Sequence, residues 1–409
     1  MKCKNIFAAI FFLTSNFLLS QEGNQFSFAW DNGFKLESAD KNFKLKFGGR
    51  LMIDHAFFSQ DAGLDDAFGQ LLTKNGTEFR RARFFFSGTV YENVTFKLNI
   101  DFASGNTVLK DAYIGIKNIP FVGNIRVGHV KEPFRLDALT SSKYLTFMEP
   151  ALLTDFTPIR NNGILLFNNF LDKRLSVQTG LFRNASGRTG NDLTANDGFT
   201  FTGRMSGLPF DDNEKKLLLH VGLGYTYKKP NDKKEFKIAS RPEAHLSGKK
   251  YLNTGIIEDV ENVQMANFET ALVKGPFSVQ AEYLIANINT GTGITSISYN
   301  FSSYYAQTSY FITGEYKRFK SSYSGFNRLK PTHNFVGKNK GAGAWEVALR
   351  YSNSDLNNKD IFGGEQRDIT LGLNWYLNPV TRIMFNHVWE KVKNFGNATA
   401  FQVRFQIDF

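Results

Sequence analysis

The sequence predicts an all-β fold: a transmembrane antiparallel β-barrel of about 16 strands with a long loop folded into its lumen. Three observations predict it. Apolar and polar residues alternate with a period of two through most of the chain. The composition is aromatic, with 42 Phe and 15 Tyr in 409 residues, yet mean hydropathy is negative. The N-terminus has the layout of an export signal.

That signal comes first in the chain. Lys2 and Lys4 precede an apolar run from Ile6 to Leu19, which ends at the small Ser20. Residues 1–20 therefore read as a signal peptide cleaved after Ser20. The run is about 14 residues, short of the roughly 20 that a spanning helix needs. The single cysteine, Cys3, lies ahead of the run and leaves with it. The mature chain then has no disulfide, thiol nucleophile or cysteine metal site. The net charge of +11 suits nucleic acid, an acidic surface or an anion path, and export excludes the first.

Residues 21–409 carry the alternation. Val94, Phe96, Leu98, Ile100 and Phe102 share one face, and Thr95, Lys97, Asn99 and Asp101 the other. Successive side chains of a strand point to opposite sides, so one face is greasy and one is wet. Trp345–Ser352, Ile369–Leu377 and Phe401–Phe409 repeat the pattern. Further strands are expected at Lys44–Phe57, Phe79–Val90, Val108–Lys117, Ile125–Lys131, Leu175–Arg183, Leu217–Tyr227, Phe268–Lys274, Val279–Leu284, Tyr305–Arg318 and Thr381–Val392. No strand or plug domain is expected in the short stretch Gln21–Asp40.

A soluble sandwich also alternates. Here, however, the apolar faces are bulky and aromatic while the polar faces carry Lys97, Asp101, Glu346, Arg350 and Arg404. Lipid outside and water inside require that combination. Asn378-Pro379 reads as a tight turn, whereas Asp211–Lys216 and Lys228–Tyr251 read as longer charged loops. In lipid every backbone group must be paired internally, so the sheet has to close. At roughly 24 residues per strand and connection, the mature chain gives about 16 strands, a size that leaves an aqueous channel.

Glu132–Asn162 breaks the pattern. It holds Pro133, Pro150 and Pro158, which a central strand does not tolerate. It is also apolar, with Leu139, Tyr144, Leu145, Phe147, Met148, Leu152, Leu153 and Phe156, as a loop packed against an inner wall would be.

Several runs resemble the phosphate-selective porin O and P family: TEFRRARFFFSGTV (Thr77–Val90), FKLNIDFA (Phe96–Ala103), KDAYIGIK (Lys110–Lys117), VGHVKEPFRLDALTSSKYLTFMEP (Val127–Pro150) and PIRNNG (Pro158–Gly163), with NWYLNPVTRIMFN (Asn374–Asn386) nearer the C-terminus. The resemblance implies a trimeric 16-stranded barrel of the bacterial outer membrane. It also implies a loop folded into the lumen, and Arg and Lys residues that select small anions, phosphate among them. The terminal Phe409 resembles the signal read by the barrel-assembly machinery.

Fixed guanidiniums and ammoniums replace part of an anion's hydration in a narrow pore. Alternation turns Arg81, Arg83, Lys97, Lys117 and Arg126 inward, with Asp101 and Asp111 beside them. In the loop, Arg135, Lys143 and Arg160 are candidates for the constriction, and Ser141 and Ser142 for oxyanion hydrogen bonds. The paired arginines of the family match Arg80 and Arg81, yet simple alternation puts Arg80, unlike Phe79, on the lipid side; only a bulge or a rim position brings it in. Lys131, Lys143 and Ala138 all lie near the register of the family's central lysine.

The sequence points to no cofactor, no metal site and no enzyme: the six histidines lack ligand spacing, and no GxSxG or phosphate-binding Gly-rich loop occurs. Lys228–Lys237 reads as an extracellular loop meeting anionic lipopolysaccharide. The rival readings are a general diffusion channel, a sugar channel using Tyr113 and Tyr376, a barrel phospholipase using His129 or His387, and a secreted lectin-like β-protein.

Overall fold

The N-terminal residues form a hairpin, β1 (Phe26–Trp30) and β2 (Phe34–Ser38), ahead of the barrel wall. The wall begins with β3 (Phe43–Gln60), β4 (Asn75–Val90), β5 (Val94–Asp101), β6 (Val108–Ile119), β7 (Gly123–Lys131), β8 (Arg160–Phe170), β9 (Leu175–Arg183), β10 (Phe199–Asp212) and β11 (Leu217–Lys229). A small ribbon follows, β12 (Ala239–Ser240) with β13 (Leu252–Asn253). The wall resumes with β14 (Val260–Lys274), β15 (Phe277–Thr290) and β16 (Ile297–Phe311). A second ribbon, β17 (Phe319–Ser321) with β18 (Gly325–Phe326), precedes β19 (Ala344–Asn358), β20 (Ile361–Tyr376), β21 (Thr381–Val392) and β22 (Gly396–Asp408). This computed structural model describes residues 25–183, 198–321, 323, 325–337 and 340–409; the expected signal segment lies outside them.

Leaving aside the hairpin and the two ribbons, 16 antiparallel strands close into a barrel as expected. The closing pair is β22 on β3, from Ala398↔Gln60 to Asp408↔Arg50. Closure continues to the last residue: the Gly49 N–H donates to the Phe409 carbonyl at 2.7 Å, and the Phe409 N–H donates back to Gly49 O at 3.2 Å. A Cβ on Gly49 would sit 2.7 Å from the Phe409 ring, so the chain end needs glycine there. Below that point β3 runs on and takes β2 as its partner, Phe34↔Phe47 through Glu37↔Lys44. The hairpin replaces the strand-free N-terminal stretch that the sequence suggested. It is built on stacked rings, Phe28–Phe34 at 5.6 Å and Phe34–Phe47 at 5.4 Å.

The outer surface is the greasy face of the alternation. Ile369, Leu371, Leu349, Val221 and Leu223 are exposed there, and Trp345 stacks on Trp375 near one rim. The inner face is polar and largely covered, with Glu346, Arg350, Asp368, Thr370 and Asn374 buried. One barrel end has tight turns, including 91–93, 120–122 and 377–380. Asp211 and Asp212, expected in a loop, end β10 instead. The Asp212 carboxylate accepts the N–H groups of Glu214 and Lys215, both at 3.0 Å, which tightens a turn. The other end carries longer connections, 61–74, 132–159 and 230–259.

One long connection, 312–343, sits at the short-turn end and corrects the expected pattern. The strand expected to reach Arg318 stops at Phe311. Gly314, at φ 87°, turns the chain out of the wall, and the segment folds back beneath the lumen. There Arg328 donates to Asp408 and to the Pro379 carbonyl, and Lys317 lies 2.8 Å from Glu346.

Candidate functional site

The arginine pair on β4 sets the geometry. In the β3–β4 ladder Met52 pairs with Arg81 while the next residue, Ile53, pairs with Phe79, so Arg80 is an extra, bulged residue. The bulge resets the parity. Arg81, Arg83, Phe85 and Ser87 face the lumen below it, and Phe79 turns outward, 57 % exposed. Arg80 also points inward: its Nε and Nη2 lie 2.7 Å from the two oxygens of Glu149. Simple alternation misplaced both Phe79 and Arg80, and the bulge is the reason.

The loop 132–159 crosses the lumen as expected. Phe134, Leu136, Phe147, Met148, Leu152, Leu153 and Phe156 are buried against the inner wall or neighbouring loops. At Gly224 of β11 the wall comes into contact with the Phe134 carbonyl, where any Cβ would collide. Wall side chains then hold the loop by its backbone. Arg382 donates to Leu145 O at 2.8 Å, Arg404 to Met148 O at 2.5 Å, Arg350 to Glu149 O at 3.1 Å and Asn374 to Thr146 O at 2.8 Å. These arginines lie on the wet face yet serve the loop.

Most of the expected cations are neutralised. Arg83 pairs with Asp101 at 2.6 Å, Lys97 with Asp111 at 2.7 Å, Arg160 with Asp111 at 2.9 Å and Lys143 with Asp408 at 2.9 Å. Arg160 belongs to β8 rather than to the loop. Lys117 reaches Thr89 Oγ1 at 3.3 Å. Arg135 is 0 % exposed behind the loop, where it donates to Thr157 and Thr154 at 3.1 and 3.0 Å. It ties the two ends of the loop together and also borders the lumen cavity, with Nη1 unpartnered among the described residues.

Two loop groups respond to this crowding. Burial pushes the Glu149 carboxyl up, but Arg80, Arg404 and Arg81 overcome it and hold it well below the usual range. Burial, with repulsion from Arg50 and Arg328 against the single Asp408, brings Lys143 down to about 8.

Against this background several cavity-lining guanidiniums lack a carboxylate partner among the described residues, Arg126 and Arg135 included, and two more, Arg81 and Arg50, lie on neighbouring β4 and β3. Arg81 is 7 % exposed and has no carboxylate partner; Nη1 lies 3.6 Å from the Met52 sulfur, and Nε has no partner among the described residues. Arg50, on β3, is bound by hydroxyls alone, Ser142 at 2.8 Å and Ser141 at 3.4 Å. Lys131 donates to the carbonyls of Ala138 and Thr140. Arg50 was missed from sequence although the signal was there: in Lys44–Phe57 it shares the parity of Lys46 and Asp54, opposite Leu51 and Ile53.

These groups line one cavity of about 800 Å³, with Arg80, Arg83, Lys97, Asp111, Arg126, Ser141, Ser142, Lys143 and Arg160. A second cavity of about 680 Å³, nearer the short-turn end, is lined by Lys35, Lys44, Lys117 and Lys173 among others. Lys228 turns inward over the Phe236 ring and Lys234 pairs with Glu261 at 2.5 Å, so the run Lys228–Lys237 is not one exposed basic strip. Among the described residues no three His, Cys, Asp or Glu side chains are grouped to hold a metal.

The family model described as phosphate-selective porin O and P matches residues 52–409. The chain belongs to that family. It is similar to Porin O of Pseudomonas aeruginosa, 27 % identical over 410 residues, which cover 89 % of this chain and 87 % of that protein. Among solved structures it resembles the in-vitro folded trimer form of OmpT of Vibrio cholerae (TM-score 0.53, 13 % identity, 89 % of this chain and 99 % of that one). It also resembles OmpF of Salmonella typhi in complex with daunomycin (TM-score 0.53, 12 % identity, 93 % and 100 %). This porin is therefore an outer-membrane channel, with the short-turn end in the periplasm and the long loops outside.

Proposed function

We propose that this porin passes small oxyanions, inorganic phosphate among them, by holding them at Arg50 and Arg81 beneath the crossing loop. One observation carries the reading. In a lumen where carboxylates neutralise Arg80, Arg83, Lys97, Lys143 and Arg160, the guanidiniums of Arg50 and Arg81 keep their charge and line the same cavity. Planar forks of N–H donors suit tetrahedral oxyanions. Ser141 and Ser142, already hydrogen-bonded to Arg50, add hydroxyls to the same wall. Asp101 and Asp111 fix the neighbouring cations and do not hold the anion themselves.

The sugar reading loses its support, because Tyr376 is engaged by Glu346 at 2.9 Å and by Arg382 at 3.2 Å, far in sequence and role from Tyr113. The general-diffusion reading remains the competitor that the experiment must separate. Consistent with the trimer form of the OmpT relative, we assign a homotrimer, with residues 1–20 removed on export and Phe409 read during assembly. Outer-membrane lipid and lipopolysaccharide are its surroundings.

The test is the reversal potential of the purified porin in a planar bilayer under a potassium chloride gradient, repeated with phosphate. Anion preference with chloride current blocked by phosphate is expected. A large, unselective current unaffected by phosphate would make it a general diffusion channel.

A further inference from the structure

The lobe 239–253 lies against the inner wall at the extracellular end, closed at its base by the β12–β13 ribbon. One acid anchors it. Glu243 is buried and accepts from Arg350 Nε at 2.9 Å, Ser352 Oγ at 2.5 Å and Thr370 Oγ1 at 2.6 Å. Gln402 donates to the Glu243 carbonyl at 3.0 Å, and Ala244 packs among Ala56, Val388 and Ala400. Farther along the lobe, buried Tyr251 donates to Gln60 at 2.7 Å.

The wall beneath this anchor carries two more acids. Asp368 and Glu390 are directly opposite each other in the β20–β21 register, and Ser352 of β19 is opposite Asp368. Both acids are buried on the inner face. Gln366 donates to one oxygen of Asp368 at 2.8 Å, and the other oxygen has no partner among the described residues. Glu390 makes no hydrogen bond or ion pair to any described residue. The charged or titratable groups facing the pair are Glu243 and Tyr251 of the lobe and Arg350 of β19, with Asp61 and Asp65 beyond Tyr251. Three buried carboxylates thus meet one guanidinium, which Glu243 already holds. Like charges directly opposite on adjacent strands are destabilising, and two carboxylates that share a dry site do not readily both ionise.

We propose that the Asp368–Glu390 pair is a proton-operated latch for this lobe. With a proton on the pair, the lobe stays docked through Glu243. Loss of the proton leaves three carboxylates against Arg350 and lifts the lobe from the wall. Arg350 carries the effect to the conducting path. The same guanidinium donates to Glu149 O at 3.1 Å and lies 4.5 Å from the Phe147 ring centroid, and Ser240 of the lobe donates to Leu152 O at 3.1 Å. The lobe and the crossing loop are therefore tied at two points, and release of one loosens the other. The latch operates whatever solute the porin passes.

The experiment follows the full porin from pH 6 to pH 9 with two readouts: single-channel conductance in a bilayer, and tryptic cleavage after Lys249 and Lys250 identified by mass spectrometry. Conductance and its noise are expected to rise with pH in the unaltered porin. Asp368→Asn combined with Glu390→Gln keeps the shape and hydrogen bonding of the protonated pair. That variant should hold a flat conductance and be cut severalfold more slowly than the unaltered porin at pH 9. Glu390→Gln alone leaves the Gln366–Asp368 bond intact and should flatten most of the response; it replaces the double variant if that one loses its heat-modifiable band on a gel. His245, whose Nδ1 lies 2.8 Å from Glu78, is the lobe's own imidazole, and His245→Gln should keep the pH response. A flat response in the unaltered porin, or an equal response in the carboxamide variants, would overturn the latch. Loss of the response in His245→Gln alone would also overturn it, by placing the titration at that imidazole.

Discussion

Arg81→Met separates a functional guanidinium from a structural one. Methionine keeps the unbranched reach of arginine, so the cavity wall changes little in shape. In the unaltered porin the Arg81 guanidinium has no acid and sits beside Arg80 and Arg83. Burying an unpaired charge next to like charges costs stability, so its removal should leave the barrel as stable as before or more so. Binding should move the other way. A hydrogen bond to a charged group contributes about 1.5–3 kcal/mol. At about 1.4 kcal/mol per tenfold, losing one such bond raises the half-blocking phosphate concentration about 10- to 100-fold. Arg83→Met is the contrast, because it orphans Asp101, which it now holds at 2.6 Å. Breaking a buried pair costs about 3–5 kcal/mol. That variant should lose its folded, fast-migrating band at a lower temperature while phosphate block changes less. The measurements are single-channel block and the temperature of band conversion. A shift under twofold for Arg81→Met, or an equal block effect in Arg83→Met, would refute the assignment.

The clamps on the crossing loop make a second prediction. Arg382→Met removes the donor to Leu145 O and the bond to Gln406, at 2.8 and 3.0 Å, so the loop should lift from β21 and give higher, noisier single-channel conductance; an unchanged trace would show that the loop is held elsewhere. Lys143 makes a third. Because its ammonium is brought down to about 8, its charge is present below that pH and lost as pH rises through it. Chloride-over-potassium preference should fall between pH 7 and pH 9, and Lys143→Arg should abolish that fall; an equal fall in the variant would place the titration elsewhere.

The wall was legible because lipid on one side and water on the other impose a period of two on every strand. Val94–Asp101 and Phe401–Asp408 show it without interruption, and both lie in strands. What was hidden depends on contacts that alternation does not encode. Nothing local to Phe79–Arg83 marks the bulge; it appears only when β4 is laid on β3 and Met52 meets Arg81. Tyr305–Arg318 kept its pattern past Phe311, but the wall ended there because β19 pairs with β16 no lower than Phe311↔Glu346. The apolar content of the crossing loop announced burial correctly. It also concealed that Arg135, in the same loop, would be covered with its neighbours.

Charge and parity named many of the residues that line the cavity, but sequence could not sort them by partner, and the partner decides the role. An arginine facing water in a barrel can hold an acid, hold a loop or hold the solute. Arg83 does the first, Arg382 the second, and Arg81, which has no acid, is the one we propose for the third. This division has a physical reason. Salt water screens a charge within about 8 Å, so cations spread over a wide wall would steer anions only weakly. With Arg350, Arg382 and Arg404 drawing the loop across the lumen, Ser141 and Ser142 of the loop meet Arg50 in the cavity that Arg81 also lines. Pairing Arg83, Lys97, Arg160 and Lys143 with Asp101, Asp111 and Asp408 removes four charges from that competition, which on the proposed reading concentrates the attraction at Arg50 and Arg81. A channel needs both: binding strong enough to admit the ion and confined enough to release it.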